Sequence, residues 1–559
     1  MFQLKHVKTY YGVNPYINKR AMVFDVEYDV YKDQLNFENR AHDIADALPI
    51  DFEKFDFKKK KSLADYASYL LLGLLNYIRG DLRFSFAENN RIIVDFHDPK
   101  VNFFVLKLIA KWFKLDFFDI NVFQVDLRNI FDLCKKKHPD FQAHALIEYA
   151  KSNNISYHNV GKKIWVYGTG SGAHTFFETS MLKDMSMQRL SKDKCKSIFN
   201  DVGVRSPNYL YRDDFKNLDE VVEKIKFPCV VKPNDSGGGK GVTANINDIN
   251  QLGFAINHAK AHSKSGAIII EEHLLGFDHR ILIVGGEFKG CVKSEAPYII
   301  GDGIKTVNDL ILEKNKFRTP SFYRSGYKRP IVIDDALMNK IDIQNLKLSD
   351  ILDYGKKVYL RNNSNLGGGG NSVFVNDVHP DIINQALIIA DHVGMFSTGI
   401  DYITEDISKS PDIVGGGFTE LNKTPGVPVF VNAGFSPEKV GSFFLKGTCW
   451  DVPLKVYVVT KSMQESKKIF NNSYIFPNFV KKNDNLYKLN NSSFDECWGR
   501  YASDRSLDRL QFIINEDQLK NFGVLEGADK VLVFSGCSVD TIDFLETCNV
   551  EFSIIDREV

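Results

Sequence analysis

The stretch "KFPCVVKPNDSGGGKGVTANI", residues 226–246, sets a glycine-rich loop between two apolar runs, with a lysine on each side of the glycines. The pattern predicts a strand ending near Lys232, a loop over 235–241 and a second strand. Glycines allow several backbone N–H groups to approach an anion with no side chain in the way. The segment is therefore a candidate phosphate-binding loop, with an exposed hairpin turn as the alternative.

Two better-known nucleotide-binding patterns do not fit this chain. A Walker-type P-loop requires a hydroxyl side chain directly after its lysine, but Gly241 follows Lys240. The string "GTGSGA" at 168–173 matches the dinucleotide pattern GxGxxA after a strand-like run. The "HTFFETS" that follows it is a poor helix start, and no strand with a terminal acid stands about twenty residues further on. Neither kind of site is predicted.

Acidic side chains at strand ends favour a functional interpretation of the loop. "AIIIEEHLLGFDHRILIV" places Glu271 and Glu272 at the end of an apolar strand, with Asp278 a short loop later. Carboxylates there can accept hydrogen bonds from an adenine amino group and from ribose hydroxyls.

A second acidic group follows much later, in "TGIDYITEDISKSPDIVGGGFTELNKTPGVPV". Asp401, Glu420 and Asn422 lie on two strand-like segments, and the last two, being two residues apart, point the same way from a strand. An all-oxygen set of this kind suits magnesium that bridges nucleotide phosphates. The order of loop, strand-end acids and E-x-N pair makes coincidence a poor explanation.

Composition limits the class of protein. At 559 residues the chain is too long for one core, while 44% hydrophobic and 25% charged residues are typical of a soluble globular protein. Lys plus Arg equals Asp plus Glu, 71 each, so no nucleic-acid or membrane partner is expected. The eight cysteines are scattered without a CxxC. They predict neither a zinc cluster nor a disulfide framework, and they favour the cytoplasm.

Five local strings resemble one superfamily: "KPNDSGGGKGV", "EEHLLGFDHRILIVGGEF", "APYIIGDGIKTVNDLI", "VYLRNNSNLGGGGNSVFVNDVHPD" and "ELNKTPGV". They resemble the ATP-grasp carboxylate–amine ligases and, within them, the ATP-grasp part of the cyanophycin synthetase family. The opening "YYGVNPY" is similar too, so the resemblance covers roughly residues 5 to 445. It implies an α/β (α+β) chain with an ATP-grasp domain at 161–449, whose lid spans about 208–300. An N-terminal α+β domain at 1–160, bounded near "KSNNISYHNVGKK", and a small α/β tail at 450–559 would flank it.

The resemblance also implies roles for individual residues. Lys192 and Lys232 would contact phosphates, Glu271 and the adjacent Glu272 would contact the adenine, and Asp278 would contact the ribose. Arg361 and Asn365 would handle the acyl phosphate and the incoming amine, and Asp401, Glu420 and Asn422 would bind magnesium, with Asp406 open as an alternative to Asp401. The mobile loop would be Asp235, Ser236, Gly237, Gly238, Gly239, Lys240 and Gly241.

The implied reaction is ATP-dependent amide formation with Mg²⁺, two ions being expected. A carboxylate would be activated as an acyl phosphate and attacked by the amine of an amino acid or peptide. The N-terminal domain and the segment from Tyr298 to Tyr327 would recognise substrates, and the family favours a homo-oligomer. The chain lacks a Mur-ligase-like half with a "GKTTT"-type P-loop, so a dipeptide, modified peptide or other amide is expected rather than a polymer. The alternative is a non-catalytic ATP-binding sensor or an accessory subunit.

Overall fold

The computed structural model describes residues 3–28, 40, 43–44, 47, 62–76, 82–114, 119–161, 163–182, 190–211, 217–316, 318, 328–362, 364–460, 473–475, 479–482, 485–488 and 503–556. The predicted substrate-recognition segment 298–327 therefore lies partly outside the described residues, at 317 and 319–327. No helix of the described ranges is long and apolar enough to cross a membrane.

Strands and helices alternate along the chain, as the sequence predicts. The strands are β1 (Gln3–Tyr10), β2 (Gly12–Val13), β3 (Ala21–Glu27), β4 (Ser85–Glu88), β5 (Arg91–Val94), β6 (Tyr157–Gly161), β7 (Ile164–Tyr167), β8 (His174–Phe177), β9 (Ser180–Met181), β10 (Tyr209–Tyr211), β11 (Cys229–Pro233), β12 (Thr243–Ile246), β13 (Ile268–Glu272), β14 (Phe277–Val284), β15 (Glu287–Glu295), β16 (Tyr298–Ile300), β17 (Lys357–Tyr359), β18 (Asn371–Val375), β19 (Ser397–Thr404), β20 (Gly417–Asn422), β21 (Leu454–Val459), β22 (Ser473–Ile475), β23 (Phe479–Lys482), β24 (Asn485–Lys488), β25 (Leu510–Asn515), β26 (Val524–Leu525), β27 (Ala528–Phe534) and β28 (Phe552–Ile555). The helices are α1 (Leu63–Asn76), α2 (Pro99–Lys114), α3 (Ile120–Lys137), α4 (Phe141–Ser152), α5 (Lys192–Asp201), α6 (Leu218–Lys224), α7 (Ile249–His262), α8 (Val307–Lys316), α9 (Asp335–Ile343), α10 (Pro380–Val393), α11 (Pro411–Val414), α12 (Val427–Asn432), α13 (Pro437–Leu445), α14 (Glu516–Phe522) and α15 (Val539–Thr547). This mixture confirms the α/β (α+β) class.

The chain divides into two compact units, residues 176–444 and residues 1–175 together with 445–559. In the second of these, the N-terminal strands form a sheet of order β1-β3-β5-β4, and the tail forms one of order β24-β23-β22-β25-β21-β27-β28. β21 pairs in parallel with β25 and β27, as expected for an α/β tail. β2 pairs with β26, so the two ends of the chain share one unit.

The predicted boundary near residue 160 falls in this unit, where β6 pairs antiparallel with β7. The contacts therefore group the chain differently from the expected three-part order, and the division at 160 and 449 stays a prediction.

The unit of residues 176–444 contains the predicted site. A four-stranded antiparallel sheet of order β10-β13-β11-β12 packs on α6 and α7 through a core that includes Val231, Leu252 and Ile270. A five-stranded antiparallel sheet has the order β18-β15-β14-β19-β20. Its β14–β15 hairpin turns at Gly285 and Gly286, which both have positive φ. The lid range of about 208–300 covers the four-stranded sheet and also β14 and β15 of the second sheet.

One face of the five-stranded sheet packs in an apolar cluster, whereas the other combines polar side chains with buried Leu282 and Val292. Ile281, Ile400 and Leu421 are register neighbours across β14, β19 and β20, and all three are buried. They pack in one cluster with Phe199 of α5 and Ile389 of α10. Because successive side chains of a strand point to opposite faces, the residues between these apolar positions are directed to the other face.

Candidate functional site

The glycine loop is anchored at its first residue. The carboxylate of Asp235 accepts hydrogen bonds from the Ser263 hydroxyl at 2.9 Å, the Lys264 N–H at 3.0 Å and the Ser265 N–H at 2.9 Å. Partial desolvation opposes ionisation, but these hydrogen bonds lower the pKa of Asp235 to about 2. Asp235 therefore fastens the loop to the end of α7.

Backbone conformation explains two of the loop glycines. Gly241 has φ of +72°, and a Cβ there would lie 2.5 Å from the Cβ of His262 and 2.8 Å from the Cγ of Pro233. A side chain at this position is excluded by both conformation and space. Gly239 has φ of +73° but borders open space. The middle of the loop is thus open, and its end is packed.

Two side chains hold the loop from outside. The ammonium of Lys192 donates a hydrogen bond to the carbonyl oxygen of Ser236 at 2.7 Å. The amide of Asn365 donates to the carbonyl oxygen of Gly238 at 2.8 Å, while its own oxygen accepts from the Gly367 N–H at 2.8 Å. Lys192, Asn365 and the loop, predicted separately as site residues, are therefore brought together.

The first turn of α5 is fixed beside the same loop. The Asn234 side chain accepts from the Asp193 N–H at 3.0 Å and donates to the Asp193 carboxylate at 2.7 Å. The Lys192 N–H also donates to the Asn234 carbonyl at 3.3 Å. The polar start of α5, which by itself is typical of a solvated helix end, is thus positioned against the loop.

A buried ion triad lies behind the loop. Glu271, at the end of β13, forms ion pairs with Lys232 through one carboxylate oxygen and with Lys196 through the other, at 3.0 Å in the second case. Lys196 is 0% exposed, Glu271 4% and Lys232 14%. Burial lowers the pKa of Lys196 to about 8. For Lys232 burial acts in the same direction, but the charge of Glu271 outweighs it and the pKa is raised.

The other two strand-end acids have different surroundings. The carboxylate of Glu272 accepts from the Asn208 side chain at 2.8 Å and from the Asn208 N–H at 3.2 Å, which ties β13 to the segment before β10. Asp278 is open to solvent, but desolvation by the surrounding protein and then the charge of Asp401 raise its pKa. Asp278 therefore presents an exposed carboxylate with a raised pKa.

The polar face of the five-stranded sheet brings the candidate metal ligands together. Arg280, Asp401 and Glu420 are direct register neighbours on β14, β19 and β20, so their side chains share this face. The guanidinium of Arg280 binds both carboxylate oxygens of Asp401, the longer contact being 3.2 Å. The Asn422 amide donates to Asp401 at 3.2 Å. The negative charge of Asp401 is therefore already compensated by Arg280 on one side and Asn422 on the other.

Glu420 differs from Asp401 in having no such partner. Within the residues that the structure describes, its half-buried carboxylate makes no hydrogen bond or ion pair. Its charge contributes to raising the pKa values of Lys232 and Arg280, which shows that these groups lie near one another. Glu420 thus leaves oxygen lone pairs free for a cation.

The candidate metal ligands Asp401, Glu420 and Asn422 all carry side-chain oxygen atoms, the ligand type that magnesium prefers. In the described part of the chain no group of three or more His, Cys, Asp or Glu side chains is arranged to hold a metal ion. The candidate set contains two carboxylates and one amide, and one carboxylate is engaged by arginine. Magnesium commonly takes one or two carboxylates and completes its shell with phosphate oxygens and water. These residues therefore suit a magnesium ion that is bound together with a polyphosphate.

Two further predicted residues have partners of their own. Asp406 lies two residues beyond β19, where it accepts from the Ser408 hydroxyl at 2.7 Å and pairs with Lys409 at 3.1 Å. Arg361 donates to the Asp334 carboxylate at 2.8 Å and to the Val332 carbonyl at 3.0 Å. The structure therefore engages Asp406 in its own turn and directs Arg361 towards the start of α9.

Sequence reasoning missed three residues of this region. Lys196 follows Lys192 by four residues, a spacing that puts both on one helix face and could have drawn attention to it. Arg280 follows Asp278 by two residues on a strand, the corresponding signal for a shared face. The guanidinium of Arg318 binds the Gly369 carbonyl at 2.9 Å and the Asn371 side chain at 2.7 Å, and no local pattern marks it.

Comparison with known proteins gives a family model and sequence relatives. Residues 198–317 match the model of the D-Ala–D-Ala ligase C-terminus. Cyanophycin synthetase of Crocosphaera subtropica is 29% identical over 313 residues, which cover 55% of this chain and 36% of that protein. The glutathione biosynthesis bifunctional protein GshAB of Clostridium perfringens is 28% identical over 245 residues, which cover 42% of this chain and 30% of that protein. The matched segments thus span about a third of the length of these two relatives.

Among solved structures, a bifunctional glutathione synthetase from Pasteurella multocida aligns with a TM-score of 0.41 at 18% identity, covering 61% of this chain and 49% of the other. The chain is thus similar in sequence to cyanophycin synthetase and, over residues 198–317, to the C-terminal part of D-Ala–D-Ala ligase.

Proposed function

We propose that this protein is an ATP-dependent ligase that forms an amide bond between a carboxylate and an amine, releasing ADP and phosphate. The observation that carries the proposal is the grouping of Lys232 with Glu420, Asp278 and Arg280 at one place beside the glycine loop. A cationic strand end next to oxygen ligands suits a nucleotide triphosphate with its metal ion.

Magnesium is the proposed cofactor, two ions being expected, held by Glu420, Asn422 and one oxygen of Asp401. When bound, it would offset charge on the transferring phosphoryl group. Arg280 fixes the orientation of Asp401, as an outer partner of a metal ligand does. Asp401 is preferred to Asp406 because it faces Glu420 directly across paired strands.

The chain's own residues are proposed to position the nucleotide. Lys192 and Lys232 would donate to phosphate oxygens, and Asp278 would accept from a ribose hydroxyl. Glu271, proposed at first for the adenine, is fully engaged by two lysines, so it would bind adenine only after one of them moves. Glu272 would reach the nucleotide only by leaving Asn208.

The loop at 235–241 is proposed to close over the phosphates and exclude water, which otherwise hydrolyses an acyl phosphate. Asn365 already contacts the loop at Gly238, so it would hold the closed state. Arg361 would exchange Asp334 for the acyl phosphate as charge develops there.

The protein as a whole would act on amino acids or short peptides and would release a small amide. It would work in the cytoplasm as a homo-oligomer. The N-terminal domain at 1–160 would help to recognise substrates, the ATP-grasp domain would span 161–449, and the tail at 450–559 has no assigned role.

The proposal is tested by measuring ADP release from the purified protein with Mg-ATP in the presence of pools of amino acids and short peptides. Every pool that gives ADP release is then analysed by mass spectrometry. We expect pool-dependent ADP release and a product lighter by one water than its two parents. ATP binding with no substrate-dependent ADP in any pool would contradict the ligase and favour an ATP-binding sensor.

A further inference from the structure

Lys196 is a fully buried charged residue to which the proposed chemistry gives no role. It lies one turn after Lys192 on α5, and its ammonium reaches Glu271 at 3.0 Å. A buried charge persists in a protein only where an opposite charge or hydrogen bonds compensate it. Glu271 is that compensating charge, and its pKa is lowered because Lys232 and Lys196 outweigh the effect of burial.

Glu271 is shared between two cations. One of its oxygens pairs with Lys232 and the other with Lys196, so the triad carries a net charge of one positive unit when all three groups are ionised. An ion pair formed by Glu271 and Lys232 alone would have no net charge. The third member therefore makes the triad cationic beside the proposed phosphate site.

We propose that Lys196 is a positioning residue for Lys232. Through Glu271 it fixes the place of the Lys232 ammonium, and it keeps Glu271 compensated when that ammonium turns towards a nucleotide phosphate. Without Lys196, movement of Lys232 would leave a buried carboxylate uncompensated, so Lys232 would stay with Glu271. The inference depends on the proposed function, which supplies the phosphate.

A merely structural role makes a different prediction. If Lys196 only fastened α5 to β13, its removal would lower thermal stability and leave nucleotide affinity unchanged in the folded protein. The two roles therefore separate when affinity is measured on folded variants.

The test is calorimetric binding of Mg-ADP and of a non-hydrolysable Mg-ATP analogue to the full chain. For Lys196→Met we expect affinity about ten-fold weaker, because Lys232 then stays paired with Glu271 and no longer reaches the phosphates. Lys196→Arg, which keeps the charge, should bind within about threefold of wild type. Lys194→Met, an exposed lysine of the same helix, should bind as wild type does. Wild-type affinity in folded Lys196→Met would overturn the inference.

A second comparison tests whether Lys196 acts through Glu271. In a Glu271→Gln background the lysine loses its compensating charge and deprotonates, so adding Lys196→Met should change affinity by less than about twofold. A full ten-fold effect in that background would overturn the inference, because Lys196 would then act on the nucleotide directly.

Two controls keep the test decisive. Should Lys196→Met unfold, Lys196→Gln, which replaces the ammonium by an amide that can still donate to Glu271, is expected to bind about ten-fold more weakly than wild type; wild-type affinity in that folded variant overturns the inference. Absence of nucleotide binding by the wild type would instead count against the proposed function.

Discussion

The carboxylate of Asp401 is bound at both oxygens by the guanidinium of Arg280 across the neighbouring strands β14 and β19. Bidentate pairing fixes the plane of the carboxylate and compensates its charge. The neighbour of Asp401 on its other side, Glu420, has no such partner in the described residues. The candidate metal site thus combines one oriented carboxylate with one that remains free.

Asp401→Asn is expected to raise the concentration of Mg²⁺ that gives half-maximal ATP turnover by at least about ten-fold, because one of two anionic ligands is lost. Asp406→Asn, which affects only a turn at residues 406–409, should change that concentration by less than about twofold. ATP turnover measured as a function of the free Mg²⁺ concentration distinguishes the two variants. The reverse ranking of the two variants would assign the ligand to Asp406.

The loop glycines should differ in their tolerance of a side chain. Gly241→Ala combines a left-handed φ, worth about 1–2 kcal/mol, with a clash against His262, so it should lower the unfolding temperature and nucleotide affinity together. In Gly239→Ala the new methyl group meets open space, so the loss of stability should not exceed that caused by the left-handed backbone conformation. Thermal unfolding of both variants checks this, and equal effects would show that the packing at Gly241 is unimportant.

Asn365→Ala removes the hydrogen bond from Asn365 to the Gly238 carbonyl, worth about 1 kcal/mol. The closed loop should be less populated and more acyl phosphate should reach water. We expect the ratio of ADP released to amide formed to rise about fivefold. Both products measured in one reaction give this ratio, and an unchanged ratio would mean that Asn365 does not hold the loop.

Nucleotide affinity should fall as pH rises through about 8. Burial lowers the pKa of Lys196 to about 8, so the residue is charged below that pH and neutral above it, when the triad loses its positive charge. Of the groups around it, Cys195 has its pKa raised to about 11 by burial, and His273 has its pKa lowered, so neither titrates in this range. Glu271 and Lys232 keep their charges.

Binding measured between pH 7 and 9.5 checks this prediction. Lys196→Arg stays protonated throughout and should give a nearly flat profile. The same fall in affinity in that variant would show that another group is responsible.

Local features of the chain could be predicted because their signals are local. Apolar runs bounded by polar turns predict the strands that end at Pro233 and Glu272, and the spacing of Glu420 and Asn422 predicts their shared face. The apolar run "YLLLGLL" is too short for a membrane span and predicts a buried helix, and it lies in α1 with Leu70 and Leu71 buried.

Partners distant in sequence could not be predicted in the same way. Arg280 and Asp401 are 121 residues apart, and their meeting depends on the pairing register of two strands that no short pattern encodes. The pairing of β2 with β26 joins the two ends of the chain for the same reason. The resemblance assigns Glu271 to adenine because its position matches a family motif, whereas its ion pair with Lys196 depends on the meeting of α5 and β13, which no short pattern encodes.

The most direct test of the central claim follows an oxygen atom. A substrate identified by the pool screen, with both carboxylate oxygens replaced by ¹⁸O, is incubated with Mg-ATP and its amine partner. Activation through an acyl phosphate predicts one ¹⁸O atom in the released inorganic phosphate for each amide formed, and little transfer with Glu420→Gln. Phosphate free of label, or label appearing in AMP, would contradict the mechanism.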